Sequence, residues 1–484
     1  MSEQEELVEE LQDKREALID EIKIMKYSNI EITSRDKKAN EIYHQKVEPN
    51  FKFEEDFYYN LSMKYKSLIE SNPFFKDLQK MPKGALLHHH LTNCIDIDWI
   101  SQEVMKEENL KNIYMRRYKN KYDILIYTLS PNKLVDTPFK DIIEKYLKDN
   151  TSKSVKDYFH SKLSLSPNEL DENVEKNQVM EIFMEKYYFC IFLIMYKNFY
   201  TQHIKNTFMQ CVNDKIYRLE TRINLGKVRD ENFNTISLNE ELELYKNQIS
   251  LFNDSVDLEE KFTFGIIVEL LKNENDEDIK KAIQRAIELK ENYPDLICGI
   301  DFYGDEDNER SIQNLEKVMI NNNCPELPWI LHCGESLKGK NYNLVDGAVM
   351  NSKRFGHCLN LFKMGTLYEY VKNKEIAIEC CPIANQSMKQ VRDLRLHPSI
   401  WYHNNGIKVC INNDNPTIFD TKGIGYDFFV ACAAMEFDLL DMKCFGLNSI
   451  DAAEISNGLR NYYKVKFLKK WNNFVEYFIS KYEK

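Results

Sequence analysis

Four short segments of the chain carry residue types that can hold a metal ion and move protons. His88-His89-His90 follows an apolar run. In extended backbone alternate residues share a face, so His88 and His90 point one way and His89 the other. Two imidazoles on one face make half of a metal site. Leu331-His332-Cys333-Gly334-Glu335 puts a histidine at the end of a second run and a carboxylate three residues on, past a glycine that permits a sharp turn. Arg354-Phe355-Gly356-His357 ends a third run with another histidine. Asn412-Asn413-Asp414-Asn415-Pro416 ends a fourth with an acid, and its proline stops the ladder. A satisfied core histidine accounts for any one of these segments. It does not account for His, Asp and Glu recurring at the same end of successive runs.

The set that emerges is His88, His90, His332 and Asp414 around one ion, with Glu335 and His357 nearby. Ligation dominated by nitrogen with one carboxylate suits zinc, since magnesium and calcium prefer shells of oxygen. A catalytic zinc keeps one position for water and brings that water's pKa near neutrality. Glu335 and His357 are then candidates for proton transfer and hydroxide positioning.

These residues must be held by a repeating scaffold. Short apolar runs at 85–87, 216–219, 264–268, 297–300, 329–331, 354–356, 376–378 and 407–411 alternate with helical stretches. Eight such repeats predict an α/β fold, a TIM-like (β/α)8 barrel whose chemistry sits at the C-terminal strand ends. Residues 1–80 read as a helical N-terminal extension, either a packing arm or a dimerisation element, and 81–484 as the barrel. Residues 101–175 fit no strand–helix unit and read as a lobe inserted after the first strand.

Composition narrows the function classes. The 484 residues carry a net charge of −12, the wrong sign for a nucleic-acid surface. Deaminases that act on nucleic acid bases need H-x-E with P-C-x-x-C, and no P-C-x-x-C is present. The most apolar stretch, 187–196, is about half the ~20 residues of a membrane span, so it predicts a buried helix. No export leader is evident, and the twelve cysteines form no C-x-x-C pair, which points to reduced thiols in the cytoplasm.

Six strings, in order over roughly residues 80–430, resemble the adenosine deaminase family, in particular its extracellular growth-factor (type 2) branch. They are Met81-Pro-Lys-Gly-Ala-Leu-Leu-His88-His-His90, Gly299-Ile-Asp-Phe-Tyr-Gly304-Asp-Glu306, His332-Cys-Gly-Glu335, Arg354-Phe-Gly-His357, Cys381-Pro-Ile-Ala-Asn-Gln386 and Asp414-Asn-Pro416. The resemblance implies zinc-dependent hydrolysis of adenosine to inosine and ammonia by attack of metal-bound hydroxide at purine C6. It implies zinc on His88, His90, His332 and Asp414. Glu335 would protonate purine N1, and His357 would hold and help deprotonate the attacking hydroxide, which Asp414 also orients. Gly304 would offer its N–H to purine N3 and Asn415 its amide to N7. Glu220, in Arg218-Leu-Glu-Thr-Arg222, matches a motif position and is counted with the substrate-binding residues. A homodimer through the N-terminal helices, and an extracellular location as the alternative compartment, follow from the same resemblance.

The departures lie on the substrate side. Leu91-Thr92-Asn93 stands where the family has a ribose-binding aspartate, and Asp414-Asn415 replaces a paired Asp-Asp. Glu181 and Leu271 occupy positions of a branch tryptophan and histidine, and the lobe lacks the branch's bridging cysteines. Deamination of another 6-aminopurine compound is therefore the competing enzymatic reading. A non-catalytic, growth-factor-like signalling protein on the same fold is the third, opposed by the intact His332, Glu335, His357 and Asp414.

Overall fold

The computed structural model describes residues 3–483 except 29, 60–61, 172, 257–260, 322–325 and 338–341. All eight expected runs are strands: β1 Gly84–Leu86, β2 Ile216–Ile223, β3 Thr263–Leu271, β4 Ile297–Tyr303, β5 Ile330–Cys333, β6 Arg354–His357, β7 Ala377–Cys380 and β8 Val409–Ile411. They pair in parallel as two arcs, β1-β2-β3-β4 and β5-β6-β7-β8. A parallel bridge between Ile300 and Trp329 joins the arcs, and one between His89 and Asp414 closes the ring. Helices such as Leu238–Ser255, Asp276–Asn292 and Gly365–Asn373 separate the strands, so the architecture is the (β/α)8 barrel.

Between β1 and β2 the lobe folds as helices around a three-stranded antiparallel sheet, Ile113–Tyr118, Tyr122–Tyr127 and Thr137–Pro138. The sheet was not expected. Its hairpin turns on Lys119 and Asn120, both left-handed at φ 51° and 52°, the geometry of a tight primed turn. The apolar 187–196 stretch lies mostly in the helix Lys176–Ile194, and among the described residues no helix is long and apolar enough to cross a membrane. The described cysteines are all free, and only Cys94 among them is less than fully buried.

The tail helix Leu439–Ala452 closes the N-terminal mouth of the barrel: Ser449 Oγ accepts from Ala85 N at 2.8 Å, and Asn448 Nδ2 donates to Val409 O at 3.2 Å. From Tyr27 onward the N-terminal segment docks on this tail. Tyr27 Oη donates to Asp441, Asn40 Nδ2 to Asp438, and Trp471 Nε1 to Asp36. Asp36 is buried, caps its own helix with Thr33, and pairs at 2.7 Å with buried Lys443. Asp36→Ala strands that buried ammonium, so the variant is expected to lose about 3–5 kcal/mol of unfolding free energy, read from the urea midpoint at pH 7.

Candidate active site

Every expected ligand sits at the C-terminal end of a strand, where the backbone turns away from the sheet. His88 and His90 follow β1, His332 lies in β5, His357 ends β6 and Asp414 follows β8. The ligand atoms of His88, His90 and Asp414 lie within 4.8 Å of one another, as do those of His88, His332 and His357. His89 turns the other way, as the alternation requires, with its Nδ1 2.8 Å from Thr221 Oγ1. Two backbone features make the cluster possible. A Cβ on Gly356 would stand 2.9 Å from His88 Cε1, so only glycine leaves room for the ring. Gly334, at φ +72°, makes the turn that brings Glu335 back over the barrel.

The rings are aimed by carboxylates from behind. His88 Nδ1 lies 2.8 Å from Glu379 Oε2, His332 Nδ1 2.6 Å from Asp301 Oδ2, and His90 Nδ1 3.1 Å from Glu269 Oε1. With Nδ1 engaged, Nε2 is the nitrogen left for an ion. His88 Nε2 is fully buried and makes no hydrogen bond, while His90 Nε2 lies 3.2 Å from Asp414 Oδ1. Burial pushes the Asp414 carboxyl up, but His88 and His90 outweigh it and hold it well below the carboxylate range. Burial alone would lower His90; Glu269 and Asp414 overcome it and carry the ring to about 10. Burial takes His332 down to about 4 and His357 to about 3. Three imidazoles, an ionised carboxylate and an orphaned buried nitrogen fit a divalent cation of the zinc type.

The cluster floors a cavity of about 320 Å³ whose apolar wall includes Met180, Phe183, Tyr187, Leu271 and Phe419. Glu335, Gly304, Asn415, His357 and Asp414 all line it. Glu335 is held by its neighbours, because Glu306 accepts from Gly334 N at 2.8 Å and Ser336 N at 2.6 Å. Its own Oε1 accepts from Gln390 Nε2 at 2.6 Å and lies 3.8 Å from His357 Nε2. Asn415 donates one amide hydrogen to Asp414 Oδ1 at 2.6 Å and accepts from Asn93 at 2.7 Å, leaving its second hydrogen for the cavity.

Glu220 does not join them. It is fully buried inside the barrel, bound to Arg218 at 3.1 Å and Arg354 at 2.8 Å, and it does not line the cavity. Its motif position marks a structural ion pair, which corrects its place among the substrate contacts. Leu91 is buried in the core and likewise stays out of the cavity. Sequence reading missed Glu269, Asp301, Glu379 and Arg222. The last bridges Asp301 at 2.6 Å and Glu379 at 2.8 Å. Their signal was a charged residue inside an otherwise apolar strand.

A closed parallel barrel with a buried His/Asp cluster and a carboxylate over its C-terminal mouth defines a hydrolase barrel of the metal-dependent kind. The family model described as adenosine deaminase matches residues 168–463, and the chain belongs to that family. It is 26% identical over 436 residues to adenosine deaminase 2-A of Danio rerio, covering 85% of this chain and 83% of the relative. It is 26% identical to adenosine deaminase 2 of Dictyostelium discoideum, covering 97% and 87%. In fold it resembles an amidohydrolase from Burkholderia ambifaria crystallised with bound Zn, with a TM-score of 0.59 and 12% identity, covering 84% of this chain and 94% of that one.

Asp301→Asn keeps the shape behind His332 but removes the charge that aims the ring. The variant is expected to fold and to bind zinc about 10–100-fold more weakly, measured by competition against a chelating dye.

Proposed function

We propose that the protein deaminates adenosine hydrolytically at C6, with zinc held by His88, His90, His332 and Asp414. The observation that carries this reading is the carboxylate of Glu335, fixed on both flanks by Glu306 and standing over a His/Asp cluster in a purine-sized cavity. When bound, zinc supplies the Lewis acidity that lets water lose a proton near neutral pH.

The remaining chemistry belongs to the side chains. The apolar wall around Phe183 and Phe419 takes the flat faces of a purine and excludes water. Glu335, in its protonated form, delivers a proton to purine N1 and makes C6 electrophilic. His357 and Asp414 hold the attacking oxygen from the opposite side. Gly304 N–H is placed to serve N3, and the free hydrogen of the Asn415 amide to serve N7. The family's ribose aspartate is absent here, so another 6-aminopurine compound is the alternative substrate, favoured by the burial of Leu91 away from the cavity.

The ligand and acid roles separate experimentally. His332→Ala removes one of the imidazoles that would hold the ion and is expected to lower both zinc content and ammonia release from adenosine sharply. Glu335→Gln should retain stoichiometric zinc while turnover falls by ~10²–10⁴. Normal turnover in Glu335→Gln would move the proton delivery to another group. A panel of adenine, adenosine and adenine nucleotides, scored for ammonia, chooses between the two substrate readings.

The homodimer belongs to this reading as well. Leu11, Leu18 and Ile22 of the first helix, Glu3–Lys26, share one helix face and are 56–60% exposed, an apolar stripe with no cover among the described residues. A second copy of the same helix would bury it. Leu18→Glu with Ile22→Glu is expected to halve the mass seen by light scattering after size exclusion and to leave the melting temperature of the barrel unchanged.

A further inference from the structure

Behind His357 runs a chain of amides whose direction is fixed at its Ser399 end. At one end the backbone N–H of Ser399 donates to His397 Nδ1 at 3.2 Å. A backbone N–H is always a donor, so His397 Nδ1 is an acceptor and the ring's proton sits on Nε2. That Nε2–H faces Asn385 Oδ1 at 3.2 Å. Asn385 Nδ2 therefore turns its two hydrogens to Gln390 Oε1 at 2.8 Å and His357 Nδ1 at 3.0 Å. At the other end Gln390 Nε2 donates to Glu335 Oε1 at 2.6 Å. Flipping Asn385 would set donor against donor at His397 and acceptor against acceptor at Gln390. Flipping Gln390 would repeat both faults at Asn385 and Glu335. Asn385 and His397 are fully buried and Gln390 nearly so, and no charged group intervenes along the path.

We propose that Asn385, Gln390 and His397 are positioning residues that hold His357 as the Nε2–H tautomer and reserve Oε2 of Glu335 for its proton. The inference rests on the deaminase reading and changes the part that His357 plays in it. With Nδ1 receiving a hydrogen from Asn385, the neutral ring carries its only proton at the nitrogen facing the cavity. His357 then donates a hydrogen bond to the attacking oxygen and cannot accept that oxygen's proton. Glu335, with Oε1 occupied as an acceptor, keeps its proton on the other oxygen.

The test reads the tautomer directly. In zinc-loaded protein labelled with ¹⁵N-histidine, two-bond ¹H–¹⁵N spectra should show His357 unprotonated at Nδ1 and protonated at Nε2. The resonances are assigned by their loss in His357→Gln or, if that variant does not fold, by their contact with Asn385. Asn385→Asp keeps the shape but sets an acceptor against Nδ1. It should move the proton to Nδ1 and lower kcat for adenosine by ~10² or more, with KM and zinc content within about two-fold of wild type. A wild-type spectrum with the proton on Nδ1 overturns the proposal whether or not any variant folds. So does an Asn385→Asp enzyme with the moved proton and an unchanged kcat. A protein with the expected tautomer that releases no ammonia from any 6-aminopurine would instead overturn the deaminase reading and leave the chain standing.

Discussion

The guanidinium of Arg222 is the contact on which the site's geometry depends. It is buried at the barrel axis and reaches Asp301 Oδ2 from β4 and Glu379 Oε2 from β7. These are the same two oxygens that receive His332 Nδ1 and His88 Nδ1. One planar cation thus sets the spacing of two rings carried by opposite arcs of the sheet. Burying an ion is costly unless it is paired and hydrogen-bonded, and here the pairing continues inward. Arg354 joins Glu379 to Glu220, and Arg218 completes Glu220. Three guanidiniums answer three carboxylates, so the lattice is neutral in itself. Glu269 and Asp414 lie outside it, on the cavity side, and give that side the surplus negative charge that a cation neutralises.

The lattice also explains where the strands could be read and where they could not. All eight were legible as short apolar runs bounded by polar residues. The runs at 216–219, 264–268 and 297–300 stop short of the strands they mark, which continue to Ile223, Leu271 and Tyr303. Hydropathy ends each run early because the barrel interior at that level is ionic. Arg222, Glu269 and Asp301 face inward there as core residues, although their types suggest a surface. The clustering of the candidate ligands was legible because histidines and acids gathered at one end of successive strands have no common structural explanation. Their supporting carboxylates were not, since a lone Asp or Glu within a strand gives no sign of what it touches. The lobe's hairpin was missed for a different reason: its turn residues, Lys119 and Asn120, sit between tyrosine-rich segments without the usual glycine.

Strain marks the C-terminal strand ends of the second arc. His357, Cys358 and Asp414 all adopt left-handed backbone conformations, at φ 65°, 55° and 55°. For residues other than glycine such conformations cost of order 1–3 kcal/mol each and persist only where the surroundings over-determine them. At Asp414 the surroundings are explicit. Its N–H donates to His88 O at 3.1 Å and its carbonyl accepts from His90 N at 3.0 Å, so its backbone is stitched to the two histidines its carboxylate faces. The bridge that closes the sheet and the residues of the candidate metal site are one feature.

The substrate face follows from what that bridge leaves free. Leu91 continues the β1 segment, and its carbonyl accepts from His203 Nε2 at 2.7 Å while its side chain goes to the core. The backbone path after His90 is therefore pinned, and the Leu91 side chain lies outside the cavity. The polar side chains at the opening stand elsewhere, on a rim where Tyr303, Asp305, Glu306 and Asp307 line the cavity. Among the described residues lining that rim, the lysine Lys176 is paired with Asp307 at 2.9 Å. Among the described residues that rim is rich in carboxylates, which accept hydroxyl donors and repel anionic groups.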